Sequence, residues 1–185
     1  MLPIIEQSKD IAAPGIYRMS AEDYHRDPCV EPSLSCSFAK TLIDFSPEHA
    51  FLTHPKLNPA AVSVEKDEFD FGSAAHSLFL EGVDRMAVLD FDSYRTNDSK
   101  AARTAARMAG KHPVLIGKAP GLRTMVTLAR TAFERCADFG YAFDEGLPEL
   151  CIIWKDRAGV WCRARPDWLS LDSVAMLDYK TTTDA

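Results

Sequence analysis

From Glu149 onward the apolar residues of this chain change their period, and that change restricts the fold more than any other feature. ELCIIWKD, Glu149 to Asp156, is a β-rich run, and DRAG is a turn. VWCRARPDWL follows as a second strand, and VAMLDYKTT as a third after a turn at Leu171–Ser173. Before Glu149 the pattern is mostly helical. GIYRMSAEDYHRDP starts a helix at the Ser20-x-x-Asp23 capping pattern and stops at Pro28. SLSCSFAKTLIDFSPEHAFLTHP predicts a helix from a serine cap, with Phe38, Leu42 and Phe45 in phase and a possible break at Pro47. FDFGSAAHSLFLEG predicts a helix from about Gly72 to Glu81, closed by Gly82. Two basic helical segments, Asp98–Lys111 and Pro120–Phe139, flank HPVLIGKAP. Helices followed by a β-meander define a mixed α/β (α+β) fold. Residues 1–14 are expected as a flexible arm, and 15–185 as one domain.

Composition closes off several functions. The hydrophobic share is 46% and the charged share 26%, ordinary for a globular domain with a core. No apolar run approaches the ~20 residues of a spanning helix. MLPIIEQSKDIAAPG has no basic region ahead of a long apolar one, so the expectation is a cytoplasmic protein without membrane contact. Cys29, Cys36, Cys136, Cys151 and Cys162 are odd in number and show no CxxC spacing, which disfavours a zinc knuckle or an iron–sulfur cluster. Charge is segregated. Nine basic residues and only two acids, Asp98 and Glu134, lie between Arg95 and Arg135, so that stretch carries +7 within a chain of net −6. Either a solvated helix face or a polyanion-binding surface accounts for it.

Chemistry concentrates in the last strands. Alternation along a strand puts Arg163, Arg165 and Asp167 on one face of the second, and Asp178 with Lys180 on one face of the third. Asp167 and Asp178 are expected to meet at one end of the sheet, with Glu149 joining them. Carboxylates brought together repel unless a cation compensates them. Oxygen-only donors suit Mg²⁺ or Mn²⁺. A lysine two residues past the second acid can orient a water or stabilise charge on a phosphorane, which is metal-assisted phosphodiester hydrolysis. A D-x-K by itself is common by chance. A surface salt-bridge lattice is the competing account.

Pro166-Asp167…Asp178-Tyr179-Lys180 resembles the PD-(D/E)xK nuclease motif. GSAAHSLFLEG is similar to the histidine helix ahead of that core in exonucleases, and LPELCIIWKD…GVWCRARPDWL…MLDYKTT resembles the RecE family, exodeoxyribonuclease VIII of phages and prophages. GIYRMSAEDYHRDP…PSLSCSFAKTLIDFSPEHAFLTHP is similar to the opening of that family. The resemblance runs from about Gly15 to Thr182. It implies a restriction-endonuclease-like core and a Mg²⁺-dependent exonuclease acting on double-stranded DNA ends, with 5′→3′ polarity, in recombination. Asp167 and Asp178 are then metal ligands, Glu149 a third acid, and the Tyr179 carbonyl a further ligand. Lys180 positions the water, and His76 ligates a second metal or touches the phosphate. Arg163 and Arg165 face a phosphate or pair with the acids, and Arg103, Arg107 and Lys111, at i, i+4 and i+8, form a phosphate-tracking stripe. A homo-oligomeric ring and a single-strand annealing recombinase partner follow from the same resemblance. The family's further helix after the lysine has no counterpart after Lys180, so the core is expected to lack its C-terminal part. A PD-(D/E)xK endonuclease and a non-catalytic DNA-end-binding or assembly module are the alternatives.

Overall fold

In the computed structural model the opening residues are not a loose arm. Ile4–Glu6 forms β1, parallel to β2 (Gly15–Arg18), and Ile11 is fully buried. The structure describes residues 3–61, 67–136, 145–172 and 175–180. The chain is mixed α/β and divides into two units, residues 1–64 with 146–177 and residues 65–145 with 178–185.

In the first unit, Ser20 caps α1 (Ala21–His25) by accepting from the Asp23 amide. The single helix expected from Ser33 to Pro55 is two helices, α2 (Cys36–Asp44) and α3 (Pro47–Thr53). Ser46 caps the second and Pro47 opens it, so the proline both ends one helix and starts the next.

The second unit begins with α4 (Asp67–His76), which runs into a π-helical turn at Ser77–Glu81 and stops at Gly82, φ +66°. The stop falls where the glycine predicts it. The helix begins five residues earlier than expected. β3 (Met86–Leu89), α5 (Asn97–Met108) and β4 (His112–Leu115) form a β–α–β unit, with Met86 opposite His112 in a parallel pair. α6 (Ala119–Glu134) follows and buries Ala119, Leu122 and Val126. The last five residues of the segment expected to end at Phe139 include 137–139, which lie outside the described residues.

The chain then returns to the first unit as β5 (Gly146–Pro148), β6 (Cys151–Lys155), β7 (Trp161–Ala164), β8 (Trp168–Ser170) and β9 (Met176–Leu177). One sheet has the order β1-β2-β6-β7, and β5-β8-β9 make another. Alternation works as expected on the first. Tyr17, Cys151 and Ile153 point into a core with Ile11, Tyr24, Cys29 and Trp161, while Ile16 and Ile152 face the opposite way, with Leu150 and Leu169. The expected second strand is broken. Arg165, Pro166 and Asp167 separate β7 from β8, and the two strands belong to different sheets. A proline fixes its own φ and withholds a ladder donor, which ends β7.

Candidate active site

The candidate residues fall in both units. In the first, Asp167 occupies the break between β7 and β8 and is 8% exposed. Its backbone carbonyl accepts the amide of Glu149 at 3.1 Å. Glu149 was expected to open a strand. It instead sits between β5 and β6 in a left-handed conformation, φ +56°, which a residue with a Cβ adopts at a cost of about 1–2 kcal/mol. Its carboxylate meets Arg165, with Nη2 of the guanidinium 2.6 Å from Oε2.

Because β7 ends at Ala164, the strand alternation that put Arg163, Arg165 and Asp167 on one face does not carry across. Arg163 points into the unit. Its side chain is 4% exposed and its guanidinium stands 3.2 Å from Asp27 Oδ1, donating also to the carbonyl and hydroxyl of Ser33. Its place here is that of a core ion pair. Asp27 in turn accepts from the Ser33 amide at 2.7 Å and the Ser33 hydroxyl at 2.6 Å, and lies 3.2 Å from His54 Nε2. Serine, histidine and aspartate together suggest nucleophilic catalysis, but the geometry is wrong for it. His54 Nδ1 accepts the amides of Lys56 and Leu57, so the ring cannot serve as a base toward Ser33, and all three residues are buried. The network is a buried lock holding β7 to the segment from Asp27 to Ser33, with Arg163 Nε a buried donor left without a partner. Sequence reasoning missed it because its members lie far apart in the chain. An aspartate directly before Pro28 was the only local sign.

In the second unit, Asp178, Tyr179 and Lys180 follow β9 rather than extending it. Lys180 Nζ lies 2.5 Å from Asp178 Oδ1, so the two share a side as expected. His76 and Tyr179, both expected as metal ligands, hold each other. His76 Nε2 donates to the Tyr179 carbonyl at 2.6 Å. The Tyr179 ring stacks on Phe79 with centroids 4.4 Å apart, and burial raises its phenol pKa.

The basic stripe has a different geometry from the expected one. α5 ends at Met108 and Gly110 turns the backbone with φ +68°, so Lys111 leaves the helix that carries Arg103 and Arg107. Those two arginines converge on Asp70, which is 7% exposed: Arg103 Nε reaches Oδ2 at 2.8 Å and Arg107 Nε reaches Oδ1 at 2.9 Å. Arg103 also lies over the Tyr94 ring. The i, i+4 spacing thus has an internal use, clamping α4 to α5. Arg95, Lys100, Lys111 and Lys118 remain on the surface of this unit.

The acids present, Asp167, Glu149 and Asp178, are hard oxygen donors of the kind Mg²⁺ or Mn²⁺ takes. Among the described residues no group of three or more His, Cys, Asp or Glu stands ready to hold a metal ion. Compared with protein-family models, with curated proteins and with solved structures, the chain finds no match.

Proposed function

We propose that this chain is a divalent-metal-dependent deoxyribonuclease of the PD-(D/E)xK type that digests duplex DNA from its ends. One observation carries the reading. Asp167 directly precedes Trp168, Asp178 directly follows Leu177, and Trp168 lies opposite Leu177 in the antiparallel β8–β9 pair. Each motif acid is therefore next in sequence to a member of one strand pair. The Glu149 amide is bonded to the carbonyl of the first of them.

In this reading Asp167, Asp178 and Glu149 would hold the cation, which would supply Lewis-acid polarisation of the phosphodiester and a more acidic water. Lys180, already against Asp178, donates to that water or to the phosphate oxygen that gains charge. His76 fixes the Tyr179 carbonyl, and with it the directions of the two residues flanking Tyr179. The exposed cations Arg95, Lys100, Lys111 and Lys118 attract the polyanion.

The test is degradation of linear duplex DNA, labelled at either 5′ end, beside a covalently closed circle, with Mg²⁺ or Mn²⁺. Lys180→Ala is expected to slow digestion on the order of 100-fold or more, the usual worth of a positioned proton donor. Asp178→Asn is expected to abolish it. Digestion unchanged in both variants overturns the assignment. Cutting of the circle selects the endonuclease alternative, and metal-independent binding without cutting selects the end-binding module.

A further inference from the structure

The ion pair between Arg165 and Glu149 is lopsided. The arginine side chain is 15% exposed and the glutamate side chain 43%. Arg165 Nε is buried without a hydrogen-bond partner, and Nη2 donates to Glu149 Oε2 at 2.6 Å. The arginine is thus held by its surroundings. The glutamate, on a left-handed residue between two strands, reaches it from the solvent side. Nothing in the motif requires a cation of the protein's own on an acid expected to bind a metal.

We infer that Arg165 is the resident counter-ion of Glu149, and that a divalent cation binding at Glu149 displaces it. The inference rests on the metal-dependent reading above. With no cation, the guanidinium neutralises the one acid of the motif that the solvent reaches in this unit, and fixes its rotamer. When a cation arrives, the glutamate turns from the arginine to the metal, because the carboxylate is the partner with room to move. Arg165 is then a positioning residue, acting on the site through Glu149. Cation affinity is set by competition as well as by the donor set, since the metal has to win the carboxylate from an ion pair already made. A purely structural arginine would behave differently, because its removal would loosen the unit and weaken cation binding.

The experiment is calorimetric titration of Mn²⁺ into the full chain, without DNA, for the parent, Arg165→Met, Arg165→Lys, Glu149→Gln and the Glu149→Gln/Arg165→Met pair. Arg165→Met is expected to tighten Mn²⁺ binding roughly 3- to 10-fold, the range of a partly exposed ion pair, and Arg165→Lys to restore parent-like affinity. In the Glu149→Gln background, removing Arg165 is expected to change nothing. Equal tightening in both backgrounds shows a general field effect and overturns the displacement. Weaker or unchanged binding in Arg165→Met overturns it too. If Arg165→Met does not fold, the guanidinium resonances of the parent decide: Mg²⁺ is expected to release Arg165 Nη protons into fast rotation, and resonances that stay put overturn the inference. Binding that Asp167→Asn abolishes and Arg165→Met leaves alone sinks this inference and spares the metal reading. No saturable binding by the parent sinks both.

Discussion

Cys151 shows how far a single position is tied to its surroundings. It is fully buried, and burial pushes its thiol up to about 11, against the partial relief of Arg165 nearby. A thiol whose folded pKa lies above its unfolded one near 9 keeps its proton longer in the folded state. Its contribution is therefore whole below pH 9 and is lost as pH climbs from 9 to 11, at most ~2–3 kcal/mol for such a shift. Cys151→Ala should flatten the fall of chemical-denaturation stability over that window. An equally steep fall assigns the effect to the other raised groups, Cys29, Cys162, Tyr17, Tyr24 and Tyr179. Asp70 is the counterpart in the second unit. Asp70→Asn leaves two half-buried guanidinium groups without their carboxylate, so thermal denaturation should show a loss of about 2–3 kcal/mol. A loss below ~0.5 kcal/mol would return Arg103 and Arg107 to the surface role that their spacing also allowed.

Among the elements, boundaries decided what the sequence could disclose. Capping is local chemistry, and the starts after Ser20 and after a serine of the SLSCS run were legible; Ser46 and Thr96 cap in the same way, accepting an amide three residues on, but were not read as caps. Gly82 was legible for the same reason. The β3–β4 pair was not, since a four-residue parallel strand around HPVL carries no alternation and its partner lies beyond α5. The break at Arg165–Asp167 was missed because the alternation on either side reads as continuous. Only Pro166 marked it. Of the candidate residues, the motif spacing gave Asp178 with Lys180, but it could not reveal that Arg163 would turn to Asp27 or that His76 would donate to Tyr179. Those are long-range contacts. Gly146 is a further element-scale requirement. A Cβ there would lie 2.1 Å from Trp168 Nε1 across the β5–β8 pair. Gly146→Ala should destabilise the unit by about 1–3 kcal/mol through displaced packing. Trp168 fluorescence reads the change directly, and an unshifted spectrum with parent stability would mean the ring has room to move.

For the whole molecule the telling fact is that each unit is built from two stretches of chain. Residues 1–64 wait for 146–177, and 65–145 are completed by 178–185. The motif is divided at the bond between Leu177 and Asp178, so neither unit expressed by itself carries both motif acids. Separate fragments should show no nuclease activity, and an active fragment would place the chemistry elsewhere. Among the described residues no helix is long and apolar enough to cross a membrane.

The pairing of Tyr17 with Cys151 also has a consequence in time. The antiparallel partner of β2, β6, is made more than a hundred residues after β2 itself, whereas the β3–α5–β4 unit closes on residues that emerge together. On the ribosome β2 can meet β1 early, but its other edge stays bare, and Tyr17 lacks its partner Cys151, until β6 has been made. The unit that holds β2 therefore closes later in synthesis than the β3–α5–β4 unit lying between its two stretches of chain.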